Sequence, residues 1–163
     1  MKTQIKRTYY RGFSTYRNKW VYGVHVKMTD STGRPKHCII PMSKTDKSKI
    51  KEPVKYIPVR SGTVAESTGI VDKNGTEIFE TDWLIMKPTK NIEYIGKVKW
   101  NASLGCWSIE GYTASYFFLT AAIGQIAEVV EEKDLKKVQR KCRELKKTDK
   151  TFNTAWWNER NNK

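Results

Sequence analysis

Residues 63–82 read TVAESTGIVDKNGTEIFETD, and inside that run Asp72-Lys73-Asn74-Gly75 stands between two β-prone segments. Asn-Gly accepts the positive φ of a type I′ two-residue turn, whose twist matches the right-handed twist of the strands it joins. Ile70 and Val71 enter the turn, Ile78 and Phe79 leave it, and Thr76 and Glu77 occupy solvent-facing positions. The spacing predicts a β-hairpin. A lone Asn-Gly would signal no more than a turn.

Thr63-Val64, Thr68-Gly69, Asp72-Lys73-Asn74-Gly75, Glu77-Ile78-Phe79-Glu80 and Asp82 together carry more information than the turn. This set resembles the signature of the YopX family of phage proteins, which reads TVGQ(Y/F)TGLKDKNGKEI(F/Y)EGD. Tyr10-Arg11-Gly12 and Lys19-Trp20-Val21-Tyr22-Gly23 are similar to that family's FRG and EWVYG, and Ile123-Gly124-Gln125-Ile126 with Glu128 to its IGNIYEN. The chain departs from the pattern at Ala65-Glu66-Ser67, where the family has Gly-Gln-aromatic, at Thr81 for Gly, and at Trp83-Leu84 for Ile-Val. The resemblance covers residues 10–130. It implies a YopX-like β domain over 1–130, with an N-terminal β part (1–62) and the hairpin with a small barrel (63–130). It also implies an origin in a phage, prophage or other mobile element. Residues 131–163, a basic helix and tail, lie outside it.

The chain has 163 residues, enough to bury a core without disulfide or metal staples. Six Trp and eight Tyr supply core material, so the mean hydropathy of -0.68 reflects the Lys and Arg load. There are 31 Lys and Arg against 17 Asp and Glu, a net charge of +14 with a pI near 9.7. Such a surface attracts polyanions by steering and counterion release. Nucleic acid is the default partner, and an acidic host protein or an anionic membrane satisfies the same arithmetic. Cys38, Cys106 and Cys142 are odd in number and form no C-x-x-C pair, which indicates neither a disulfide framework nor structural zinc. The basic N-terminus lacks the apolar run of a signal peptide, and no stretch has the length of a membrane span. A soluble protein in the cytoplasm of a bacterial host is expected.

Lys2, Lys6, Arg7 and Arg11 alternate with Tyr9 and Tyr10, a composition suited to phosphates and bases and equally to an exposed strand. From Trp20 to Met28 a period of two puts Trp20, Tyr22, Val24, Val26 and Met28 on one face and Val21, Gly23, His25 and Lys27 on the other. After a turn at 29–36, His37 to Met42 returns as the next strand. Residues 43–55 read as a basic loop or a frayed helix whose Lys44, Lys47, Lys49 and Lys51 are candidate contacts for nucleic acid or an acidic partner. Five short strands follow, at 83–86, 94–100, 105–109, 116–119 and 123–130, and their spacing suggests a small barrel with SH3-like order. Tyr112, Tyr116, Phe117 and Phe118 fill a core or form a stacking platform.

Beyond Val130 the composition turns helical, with acids early and bases late as the helix dipole favours. Leu135, Val138, Cys142 and Leu145 make a narrow apolar stripe, suited to docking on the barrel or on a sister subunit. Lys136, Lys137, Arg140, Lys141, Arg143, Lys146 and Lys147 occupy the other faces and are candidate polyanion contacts. Trp156-Trp157 in the tail is a candidate oligomer or partner interface, since paired indoles are costly to leave in water.

No nucleophile elbow, Walker loop, zincin motif or Cys/His cluster is present. His25 and His37 face each other across the expected hairpin, where they read as strand histidines, a shared metal site or an acid/base pair. Asp72, Glu77, Glu80 and Asp82 offer carboxylates for Mg²⁺, although turn and fold roles explain Asp72 and Glu80. No cofactor, resident metal, catalytic residue or small-molecule substrate is assigned. The expectation is a mainly β protein with a basic C-terminal helix that acts by binding nucleic acid. Inhibition of a host defence or nucleic-acid enzyme, and homo-oligomeric assembly, are the alternatives.

Overall fold

The computed structural model describes residues 9–43, 54–89, 92–111 and 116–144. Alternating apolar and polar residues yield eleven strands there: β1 (Tyr10–Ser14), β2 (Lys19–Thr29), β3 (Pro35–Pro41), β4 (Ile57–Pro58), β5 (Ala65–Val71), β6 (Glu77–Phe79), β7 (Trp83–Thr89), β8 (Ile92–Asn101), β9 (Cys106–Gly111), β10 (Tyr116–Phe118) and β11 (Ala127–Val129). One α-helical turn, α1 (Ala121–Gly124), precedes β11, and a longer helix, α2, spans 132–144. No described helix is long and apolar enough to cross a membrane. The chain divides into two units between Thr68 and Gly69, inside β5.

In the first unit the antiparallel strand order is β4-β3-β2-β1-β5. Val21, Ile39 and Ile57 form its core with Tyr10 and Val59 against them. The opposite face carries Trp20, edge-on to Phe13 at 5.6 Å with the Arg11 guanidinium 4.8 Å from its ring, and Tyr22 beside Tyr9. Gly23 has φ +154°, and a Cβ there would stand 1.9 Å from the Ile40 carbonyl oxygen. Only glycine lets β3 pass so close. The 29–36 turn closes because Asp30 Oδ1 accepts the Thr32 and Arg34 N–H groups at 2.8 and 2.9 Å.

The second unit opens with the expected hairpin, but its turn differs. Gly75 N–H donates to the Asp72 carbonyl at 3.0 Å, and Gly75 alone of the turn residues has positive φ, +76°. A two-residue type I′ turn needs positive φ at Asn74 as well, so this is the longer form that ends in a left-handed glycine. The cause is Asp72, whose Oδ1 accepts from both Asn74 N–H and Thr76 N–H at 2.8 Å and winds the chain one residue earlier. Its Oδ2 accepts from Val129 N–H at 3.0 Å and moors the turn to β11.

The following strands form an antiparallel sheet in the order β10-β9-β8-β7-β11. The expected small SH3-like barrel does not form; the sheet stays open, with three-residue strands at its two edges. A barrel must join its outermost strands to cover its apolar face. Here Ile70 and Ile78 of the hairpin, with Leu119 and Ile123, cover that face over Leu84, Met86, Val98 and Ile109. The strand expected at 123–130 is shorter than its apolar run, because Thr120 Oγ1 caps α1 by accepting Ile123 N–H at 3.3 Å and β11 begins only at Ala127.

A cationic helix face as the candidate functional site

Three residues of α2 are apolar at i, i+3 and i+7, and they fix which way the helix faces. Val138 and Cys142 are buried with Trp83 and Ile95, while Leu135, Ile85 and Val130 pack around them. This pad lies on the sheet face opposite Leu84 and Met86, so the first four residues of β7 are covered on both sides and read as an unbroken apolar run. Lys141, at the edge of the docked stripe, donates to Glu93 Oε1 on β8, and Lys87 Nζ lies 3.5 Å from Glu93 Oε2. The Lys141 hydrogen bond, aided by Lys87, holds the Glu93 carboxyl below its ordinary pKa despite partial burial.

At 3.6 residues per turn, docking that stripe turns Lys133, Lys136, Lys137, Arg140 and Arg143 outward. All five are exposed and together line one shallow surface depression. From Lys133 to Arg143 the row runs about 15 Å at the helical rise. Acids temper it unevenly. Glu131 lies 2.6 Å from Lys133 and, by that hydrogen bond, raises its pKa, while Glu144 stands 4.0 Å from Arg140. Arg143 Nε donates to the Gln139 carbonyl at 3.4 Å. Among the described residues, no acid pairs with Lys136 or Lys137. Elsewhere in this unit Lys73 pairs with Glu128 and Lys99 with Glu110.

Of the residues expected to contact a polyanion, α2 therefore gathers Lys136, Lys137, Arg140 and Arg143 on one face and diverts Lys141 into a clamp. Lys133 joins the face although the charge pattern alone did not single it out; its i, i+4 spacing to Lys137 was the available signal. Lys44, Lys47, Lys49, Lys51, Lys146, Lys147, Trp156 and Trp157 lie outside the described residues. Phe117 packs into the core and Phe118 is exposed on β10, so these neighbours face opposite ways and share no platform. Asp72 and Asp82 direct carboxylate oxygens to backbone N–H groups, Asp82 Oδ2 accepting from Phe79 at 2.9 Å.

The positions that carry the hairpin and its mooring match the YopX protein family model over residues 9–135. The chain belongs to the YopX family. The match takes in the first four residues of α2 and points to a phage-type protein. No match is found among curated proteins. Most of this YopX member's cationic face, from Lys136 onward, lies past the matched stretch.

Proposed function

We propose that this YopX-family protein is a phage-type accessory protein that binds nucleic acid through the outward face of α2 and acts without catalysis. The observation that carries the reading is the five-cation face Lys133, Lys136, Lys137, Arg140 and Arg143, held outward by the docked apolar stripe. Cations spaced over about 15 Å of helix contact consecutive phosphates and release counterions when they do so. Such contacts favour affinity over base discrimination, because phosphate bonds position a protein without reading sequence. Lys146 and Lys147, next along the chain, and Lys44, Lys47, Lys49 and Lys51 are proposed to add to the same term.

Fluorescence anisotropy of labelled duplex DNA and of RNA tests this. Binding is expected to weaken steeply with salt, and the exposed double change Lys136→Glu, Lys137→Glu is expected to lower the slope of log K against log salt by about two. An affinity indifferent to salt, or a variant that binds like the parent, overturns it. A pull-down from nuclease-treated host lysate that retains one stoichiometric protein would instead assign the face to an acidic host partner.

A further inference from the structure

His25 and His37 are the only two histidines in the chain. The β2–β3 register sets His25 opposite Ile39 and His37 opposite Lys27, so the two rings are diagonal neighbours on one sheet face. His25 Nε2 and His37 Nδ1 are 2.9 Å apart, with ring centroids at 5.1 Å and planes within 9° of parallel. Nitrogens this close in nearly parallel rings meet edge to edge and share one proton in an N–H···N bond. Both residues are half-buried, so solvent reaches them. Tyr10 packs its ring 5.4 Å from His25, and its hydroxyl donates to Glu66 Oε2 at 3.4 Å. Burial first, then the charges of His37 and Lys27, hold the His25 pKa below 6.5.

We propose that His25 and His37 form a bidentate chelate for one divalent transition-metal ion of the class that takes imidazole ligands. Two nitrogens each about 2.0–2.1 Å from one ion stand about 2.9 Å apart when they subtend 90°, and about 3.3 Å apart at the tetrahedral angle. Both separations lie within about 0.4 Å of the present contact, so the pair stands close enough to chelate once the rings re-aim. The lone pairs now lie along the N···N line and must swing about 35–45° off it to meet at one ion, which takes rotation about both side-chain bonds of each residue. The shared proton moves to the other nitrogen of the ring that now donates it, so both ligands remain neutral and no proton leaves the pair. No third His, Cys, Asp or Glu completes a cluster among the described residues, so water fills the remaining positions. Lys27 stands directly across the register from His37 and on the same face as His25, so its like charge opposes the ion.

Titration of the full chain with NiCl₂ in a non-coordinating buffer near neutral pH tests the site. One Ni²⁺ per chain is expected, and His25→Gln or His37→Gln should weaken it about tenfold or more. Paramagnetic resonance of the Cu²⁺-loaded protein should show two imidazole nitrogens in the parent and at most one in either variant. Lys27→Gln leaves both ligands in place and should tighten Ni²⁺, which keeps the test decisive if a glutamine variant fails to fold. A parent that binds no Ni²⁺, glutamine variants that bind it equally well, or an affinity unmoved by Lys27→Gln overturns the proposal.

Discussion

Asp72 is only 2% exposed, and a carboxylate persists there because its two oxygens accept three backbone N–H groups, from Asn74, Thr76 and Val129. Removing it strands those donors, so Asp72→Ala should cost about 3 kcal/mol in urea denaturation, the scale of a lost buried polar network. Thr81 has φ +68° at the position where the YopX pattern has glycine. A β-branched residue pays about 1–2 kcal/mol in that region, partly offset by the greater unfolded-state entropy of glycine. Thr81→Gly should therefore stabilise the protein by up to about 1 kcal/mol by the same measurement. For His25, whose pKa is held below 6.5, the unfolded chain takes up the proton first. Its contribution is complete above 6.5 and is lost as pH falls through the lower folded value, so stability rises with pH in that window. Melting temperatures in metal-free buffer should show His25→Gln flattening the pH dependence in that window, with the slope at alkaline pH unchanged.

At the scale of elements, α2 was legible from the period of Leu135, Val138 and Cys142 and from its charge gradient. Its seat was not, because a helix period names a face without naming the surface that receives it. The apolar run Trp83-Leu84-Ile85-Met86 hid that seat: a strand buried on both sides shows no alternation to separate the residues under the core from those under α2. Val138 is 7% exposed in the contact, so Val138→Ala should cost about 1–2 kcal/mol and speed amide exchange along α2 more than along β8. The hairpin was legible in Asn74-Gly75, yet its turn form depended on which backbone groups the Asp72 side chain could reach. The α1 turn was hidden for a related reason: Ile123 to Val130 is apolar enough for a strand, and the Thr120 cap is a single hydrogen bond.

At the scale of the molecule, a net charge of +14 repels itself at low ionic strength. Raising salt from about 0.01 M to 0.15 M shortens the screening length from about 30 Å to 8 Å, so the melting temperature should climb over that range. A midpoint that falls instead would show that pairs such as Lys73–Glu128 outweigh the repulsion. The sequence alone determined the mainly β content, the hairpin, the amphipathic basic helix and the family, because each is written in spacings of a few residues along the backbone. Only the tertiary structure decided that Ile70 and Ile78 cover the second sheet so that it stays open. It alone diverted Lys141 to Glu93 while Lys136 and Lys137 stayed outward, and it alone brought the two imidazoles to 2.9 Å. Those outcomes depend on register and on which apolar faces bury each other, and residues far apart in the chain set both.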